Sequence, residues 1–275
     1  MDFFGVAPML TTPAGGCLTA ANWQDAKVSL AACHLAPWLM KPGIEVLSLL
    51  NGLASYMGWS LPWVLNASTL SMRSEDLFEV RSHFDGKKNT YSTVEILTLI
   101  KTLAPNGVIL PKAIWHLYEA LPEEMLCFIH SSALSEAGKL NRSYGAYYSH
   151  VDRSSTLAAL CLHQMTHPDV PCYVSGDIGQ SLIRECFENG AQIVETDRPA
   201  ADGYQGIAYG EEGAMAIHEV HFALQFTPLD ANCDCKTCSQ KLTRAYLHHL
   251  WHHTPLLCQR FIIQHNVHLC AQTIC

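Results

Sequence analysis

The stretch Cys233-Asp234-Cys235-Lys236-Thr237-Cys238 places three thiols at positions i, i+2 and i+5 of one short loop. A loop of this length can aim all three at one point, and three thiolates with one imidazole form a closed tetrahedral zinc site. Three buried cysteines without a metal are the alternative, but the histidine-rich segment that follows favours the metal site. Four protein ligands leave no open position, so we expect one structural Zn²⁺ per chain.

The fourth ligand must come from the residues that follow the loop. The histidines available there are His248, His249, His252, His253, His265 and His268. A ligand beyond the predicted helix 242–253 would tie loop, helix and following segment together, which favours His265 or His268. The run of four histidines between positions 248 and 253 could bind a second metal, although a solvated helix face is the simpler interpretation.

A second motif follows the cysteines, Thr243-Arg244-Ala245-Tyr246-Leu247-His248-His249-Leu250. With the three cysteines and a histidine near position 265, it resembles the zinc signature of the tRNA-guanine transglycosylases, which exchange a guanine base in tRNA for queuine or a related base. The resemblance selects His265 as the fourth ligand. It continues at Ala7-Pro8-Met9 and Leu39-Met40-Lys41-Pro42-Gly43, and it implies a (β/α)₈ TIM-like barrel with a zinc-binding module near the C-terminus, in a shortened and diverged family member.

The pattern of the chain is compatible with such a barrel. Short apolar runs alternate with longer amphipathic segments over about 190 residues, which predicts a parallel sheet covered by helices. The predicted strands are 3–9, 63–65, 107–110, 125–129, 144–148, 172–174 and 192–194, and the predicted helices are 19–34, 44–56, 92–103, 155–164, 179–189 and 242–253. Ser92 and Glu95 supply a helix start, and Asn189-Gly190 supplies a helix end. The number of strands is closer to a closed barrel than to an open sheet.

The character of the sequence changes near Gly203, which predicts two parts. Residues 1–202 form the barrel body, and residues 203–275 form an antiparallel insertion plus the zinc-binding module that closes the barrel. Within the second part, 206–209 and 214–226 are predicted as short antiparallel strands around the turn Glu211-Glu212-Gly213.

Composition excludes some classes of protein. Hydrophobic residues make up 49% of the 275 and charged residues 15%, which excludes a disordered chain. Lys and Arg number 17 against 25 Asp and Glu, a net charge of −8, so tRNA is a possible partner only through a local basic patch or a partner's charges. The first 18 residues lack the features of a secretory signal, and no apolar run is long enough to span a membrane. We therefore expect a cytoplasmic protein with reduced cysteines and no membrane partner.

Base exchange at a ribose needs a carboxylate nucleophile and a second acidic group for proton transfer. By the resemblance, the nucleophile falls on Glu195, which is one methylene longer than the family's Asp and is therefore a weak candidate. The proton-transfer Asp falls on Asn66, in Asn66-Ala67-Ser68-Thr69, and an amide cannot take that role. Glu195 ends a predicted strand, where barrels place catalytic groups, and a solvated strand-end acid is the alternative. Asp177, at the start of a predicted helix, is interpreted as a capping acid.

The positions that read the base in the family are also replaced, by Pro111, His130 and the pair Ser149-His150. The basic string after the nucleophile becomes Pro199-Ala200-Ala201-Asp202-Gly203, with no Arg at its end. Two hypotheses follow. The chain is a tRNA-guanine transglycosylase-like protein with a degenerate active site, or a catalytically inactive, zinc-stabilised paralogue that acts as a partner subunit or binds another ligand. The resemblance implies a homodimer, or a heterodimer with an active transglycosylase, through the zinc-module region.

Overall fold

Eight parallel strands form the centre of the computed structural model, which describes residues 4–82, 85–137, 142–211 and 213–272. In chain order they are β1 (Gly5–Pro8), β2 (Ala31–His34), β3 (Trp63–Asn66), β4 (Gly107–Ile109), β5 (Leu126–His130), β6 (Tyr144–Ser149), β7 (Cys172–Ser175) and β8 (Ile193–Thr196). The order around the sheet is β1-β8-β7-β6-β5-β4-β3-β2. A parallel bridge between Met9 and Ala32 closes the circle, with Leu10 N donating to Ala32 O at 2.9 Å. The predicted (β/α)₈ barrel is confirmed.

Side chains from all eight strands or their immediate flanks fill the barrel interior, so it is a packed core and not a pore. The buried members of this inner cluster are Ala7, Leu30, Ala32, Val64, Ile109, Phe128, Tyr147, Tyr173 and Ile193. The carboxyl ends of the strands, called the barrel mouth below, lie above this cluster and carry polar side chains.

Helices cover the outside of the barrel and form much of the C-terminal part of the chain. They are α1 (Ala20–Asp25), α2 (Leu35–Trp38), α3 (Ile44–Leu47), α4 (Leu53–Met57), α5 (Thr93–Leu103), α6 (Leu134–Ala137), α7 (Arg153–Thr166), α8 (Gln180–Glu188), α9 (Arg198–Tyr204), α10 (Lys236–Ser239), α11 (Arg244–His253) and α12 (Pro255–Gln272). Helix α5 begins where the sequence predicts, because Glu95 N donates to Ser92 Oγ and Ser92 N donates to the Glu95 carboxylate in a capping box.

Two predicted helices are wrong in part. The segment 19–34 is helical only as far as Asp25, and its last four residues form β2, which pairs with β3. Alanines favour a helix locally, but here the buried run Ala31-Ala32-Cys33 lies inside the sheet, and tertiary pairing overrides propensity. The segment 44–56 divides into α3 and α4, because Gly52 at φ 87° interrupts it.

The predicted antiparallel pair after the barrel is confirmed only at its start. Ile207–Ala208 pairs with Met215–Ala216, whereas Val220–Leu224 forms a 3₁₀ helix instead of a strand. A separate three-stranded antiparallel sheet, formed by Ser71–Ser74, Leu77–Arg81 and Lys88–Ser92, lies between β3 and α5. Phe3 of the predicted first strand and Glu212 of the predicted turn lie outside the described residues.

The 18-residue helix α12 joins the C-terminal part of the chain to the barrel. Its Gln264 side chain donates to the carbonyl of Asn22 at 3.0 Å, and Asn266 Nδ2 donates to the carbonyls of Pro199 and Ile207 at 3.1 and 2.9 Å. On another side, Thr237 Oγ1 donates to Phe261 O at 2.7 Å, which holds the cysteine-rich loop against the same helix. The boundary between residues 202 and 203 stays a prediction. Within the described ranges, no helix combines the length and apolarity needed to cross a bilayer.

Candidate functional site

The four predicted zinc ligands lie together at one point. The Sγ atoms of Cys233, Cys235 and Cys238 are 3.6, 3.4 and 3.4 Å from Nδ1 of His265, and all four ligand atoms lie within 4.8 Å of one another. In a tetrahedral site with Zn–S of about 2.3 Å and Zn–N of about 2.1 Å, sulfur and nitrogen ligands are separated by about 3.5 Å. The distances in this cluster therefore fit one tetrahedral zinc ion.

The imidazole of His265 is oriented for this role. His265 lies within α12, is fully buried, and donates from Nε2 to the carbonyl of Tyr209 at 2.8 Å. A proton fixed on Nε2 leaves the lone pair of Nδ1 directed at the three sulfur atoms, which is how ligating histidines are commonly held. His268, the other favoured candidate, bonds instead through Nε2 to Asp234 Oδ1 at 2.7 Å and is outside the ligand set.

Glu195 occupies the barrel mouth at the carboxyl end of β8, and it is 0% exposed. Its carboxylate accepts five hydrogen bonds from four side chains on β2, β3 and β7. The donors are His34 Nε2 to Oε1 at 2.7 Å, Asn66 Nδ2 to both oxygens at 3.1 and 3.0 Å, Tyr173 Oη to Oε2 at 2.5 Å and Ser175 Oγ to Oε1 at 2.6 Å. A carboxylate offers about four lone-pair sites, so this one is saturated.

The charges at this site are set by the contact between Glu195 and His34. Burial alone would raise the pKa of Glu195, but the hydrogen bond and charge of His34, with the bonds from Ser175 and Tyr173, outweigh burial and lower it. Burial alone would lower the pKa of His34, and the contact with Glu195, assisted by Asp197, raises it. Both shifts favour an ion pair between an imidazolium and a carboxylate.

Asn66, which the sequence resemblance aligns with the family's proton-transfer Asp, uses all its polar atoms in the same network. Its amide nitrogen donates to Glu195, and its Oδ1 accepts from Ser68 N at 3.0 Å and from Ser68 Oγ at 2.6 Å. Ser68 Oγ also lies 3.2 Å from the hydroxyl of Tyr147. Asn66 is buried, so it holds the carboxylate and the following loop in place.

Sequence reasoning missed Asp197, two residues beyond Glu195. This half-buried carboxylate accepts a hydrogen bond from Thr12 Oγ1 at 2.7 Å, and burial raises its pKa to about 6. A position just beyond the end of a barrel strand is a signal for a functional acid, but its burial is not visible in the sequence. His34 was missed for another reason, since its strand was predicted as a helix.

The remaining candidates make their hydrogen bonds with groups other than Glu195. His130 Nε2 bonds to the carbonyl of Leu110 at 3.0 Å, and His150 Nδ1 bonds to Thr156 Oγ1 at 2.7 Å, so both fill local hydrogen bonds. The interpretation of Asp177 as a helix cap is wrong. Gly179 is the N-cap of α8 and makes no side-chain cap bond, while Asp177 pairs with the guanidinium of Arg198 at 3.3 Å.

Comparison with known proteins finds queuine tRNA-ribosyltransferases. The family model described as queuine tRNA-ribosyltransferase matches residues 146–275. The queuine tRNA-ribosyltransferase of Zymomonas mobilis is 24% identical over an alignment of 283 positions, which covers 83% of this chain and 72% of that protein. The corresponding protein of Treponema denticola is 25% identical over an alignment of 277 positions, which covers 83% of this chain and 73% of its own length. A Clostridium perfringens relative is 32% identical over 100 residues, 36% of this chain and 26% of its own.

Proposed function

We infer that the chain is a diverged member of the queuine tRNA-ribosyltransferase family, and we propose that its own barrel does not carry out base exchange. We propose that it acts as the partner subunit of an active transglycosylase, in a heterodimer formed through the zinc-module region. The observation that carries the proposal is the state of the Glu195 carboxylate, which is buried and has both oxygens hydrogen-bonded.

A nucleophilic carboxylate must present a free lone pair to the C1′ atom of the ribose. Glu195 has no exposed surface, and its five hydrogen bonds saturate both oxygens. Turning it toward a substrate would leave half-buried His34 and buried Asn66 without their acceptor, and each unsatisfied buried group costs about 1–3 kcal/mol or more when charged. Glu195 therefore acts as the anion that joins four strands, and not as a nucleophile.

A working enzyme at this mouth would need another carboxylate. Asp197 is half-buried, and its pKa of about 6 is suited to proton transfer, so it is the acid that a competing catalytic function would use. Base exchange with Glu195 as nucleophile remains the competing hypothesis from the sequence. Replacing Glu195 and Asp197 one at a time distinguishes base exchange from the partner-subunit function.

Arg198, two residues beyond the end of β8, is paired with two carboxylates. Arg198 Nε donates to both oxygens of Asp202 at 3.0 Å, and its Nη1 contacts Asp177. With a net charge of −8, the chain offers little for phosphate contacts, which supports a complex in which the active subunit binds the tRNA.

We propose that Cys233, Cys235, Cys238 and His265 hold one structural zinc ion. Such an ion contributes to folding by joining the loop 233–238 to α12, and with four protein ligands it takes no part in a reaction. The fit of the sulfur and nitrogen distances to a tetrahedron and the Tyr209 contact of His265 support this assignment.

An exposed apolar patch beside the cysteine cluster is the proposed contact surface. Its side chains are Val220, Leu224 and Phe226, which are 74–82% exposed, and Tyr246 at 45%. The backbone of this segment is fixed to α11, because Ala245 N donates to Gln225 O at 2.8 Å. Exposed apolar side chains on a segment fixed to a helix are typical of protein interfaces, where aromatic residues are enriched. We call these four residues the apolar patch.

Light scattering of the zinc-loaded chain, alone and mixed with an active queuine tRNA-ribosyltransferase, tests the proposal. The expected result is a one-to-one complex that the pair Leu224→Ser and Phe226→Ser abolishes. Leu162→Ser with Met165→Ser, two exposed apolar residues on α7, is the matched control and leaves the complex intact. A chain that stays monomeric in the mixture contradicts the heterodimer.

A further inference from the structure

Helix α11 carries two pairs of histidines that the Cys₃His cluster does not use. His248 and His252 are one turn apart, as are His249 and His253. The ring centroids are 4.7 Å apart in the first pair and 4.3 Å apart in the second. Two histidines at i and i+4 on one helix face are a common metal-binding arrangement, because their nitrogens can approach to the separation of two ligands on one ion.

The first pair is oriented for ligation. Nδ1 of half-buried His248 lies 2.8 Å from the carbonyl of Ile217, and a carbonyl can only accept, so the proton is on Nδ1. Nε2 of the same ring is then the nitrogen with a free lone pair, in the tautomer that a ligating histidine needs. His252 follows one turn later and is exposed, so an ion can reach the pair from solvent.

A third pair of histidines has the same spacing but is not arranged to bind a metal. His163 and His167, at the end of α7, are also four residues apart, with ring centroids separated by 5.8 Å. Both nitrogens of His163 are engaged, Nδ1 with the hydroxyl of Tyr148 at 3.1 Å and Nε2 with the carbonyl of Val170 at 2.8 Å. Spacing alone therefore does not make a site, and the free Nε2 of His248 is the distinguishing feature.

The position of this pair near the C-terminal end of α11 also favours the binding of a cation. His252 belongs to the last turn of α11, which ends at His253. The carbonyl groups of a last turn carry partial negative charge, and this stabilises a positive ion placed near them.

We propose that His248 and His252 bind one divalent transition-metal ion, of the kind that imidazole prefers, such as Zn²⁺, Ni²⁺ or Cu²⁺. The site is separate from the Cys₃His cluster, and water completes the coordination. Two neutral nitrogens bind an ion more weakly than three thiolates and an imidazole, so this second ion exchanges with solvent while the structural ion is retained.

Calorimetric titration of the untagged, zinc-loaded chain with Ni²⁺ tests the site, with zinc content measured in parallel by elemental analysis. We expect one Ni²⁺ per chain, bound without release of zinc. His252→Ala, an exposed change that leaves the His248 contact in place, is expected to abolish this binding. His253→Ala, its exposed neighbour from the other pair, is expected to keep it.

Two results overturn the proposal. Titration of the parent chain without a saturable Ni²⁺ event shows that the pair does not bind a metal. Loss of binding in His253→Ala with retention in His252→Ala shows that the other pair is the ligand set.

Discussion

His34 Nε2 lies 2.7 Å from Oε1 of Glu195, and this contact spans the seam at which the barrel closes. The two residues stand on β2 and β8, the strands on either side of β1. Ala7 of β1 is the register partner of Glu195, and its small side chain leaves room for the contact to cross. The backbone seam between β1 and β2 is the bridge between Met9 and Ala32, so the ion pair reinforces the part of the sheet with the least regular pairing.

This relationship predicts a loss of stability when Glu195 is replaced. Removing one partner of a buried ion pair costs about 3–5 kcal/mol, because the other charge is left uncompensated. We expect Glu195→Ala to lower the free energy of unfolding by about that amount in urea denaturation. Asp177→Ala, an exposed acid, is the control, with an expected change within about 0.5 kcal/mol. Equal, small effects of both changes would show that Glu195 is an ordinary solvated acid.

The pair also predicts how stability depends on pH. The raised pKa of His34 gives a contribution that is complete below its unfolded value, about 6.5, and is lost as the pH rises through the folded value. The lowered pKa of Glu195 gives a contribution that is present above about 4.3 and is lost as the pH falls through its folded value. The stability difference between the parent chain and His34→Gln is thus largest between about pH 4.3 and 6.5 and shrinks at alkaline pH. Melting temperatures of both proteins, measured from below about pH 4.3 to above pH 7, give this stability difference. A difference that grows above pH 7 contradicts the ion pair.

The ligand assignment predicts different zinc contents for variants of two buried histidines of α12. His265→Gln removes a nitrogen that faces three sulfur atoms, and we expect the purified protein to lose its zinc. His268→Gln removes a contact to Asp234 only, and we expect zinc content to stay near one ion per chain. Elemental analysis after dialysis decides between them, and the reverse pattern would assign His268 as the ligand.

The sequence predicts well those features that depend on residues close together along the chain. The cap of α5 lies within Ser92 and Glu95, and three of the four candidate metal ligands lie within six residues. The features that it misses depend on distant contacts. Strand β2 is defined by pairing with β3, and two of the four side chains that bond to Glu195 lie 161 residues away at His34 and 129 residues away at Asn66. A strand-end acid in isolation gives no sign that four side chains will enclose it.

The family resemblance supplied what local patterns could not, namely the choice of His265 and the alignment of Glu195 with a nucleophile. It could not indicate that the carboxylate of Glu195 is enclosed and fully hydrogen-bonded. The resemblance also aligns Asn66 with the family's proton-transfer acid, but only the structure shows that its amide donates to both oxygens of Glu195.

Incorporation of labelled guanine into bulk tRNA by the zinc-loaded chain alone tests the central claim most directly. An active queuine tRNA-ribosyltransferase serves as the positive control, and Glu195→Gln and Asp197→Asn are assayed beside the parent chain. We expect no incorporation above background by any of the three, because the carboxylate of Glu195 is enclosed and saturated. Incorporation by the parent chain that disappears in either variant would contradict it, and the sensitive variant would identify the carboxylate that performs the exchange.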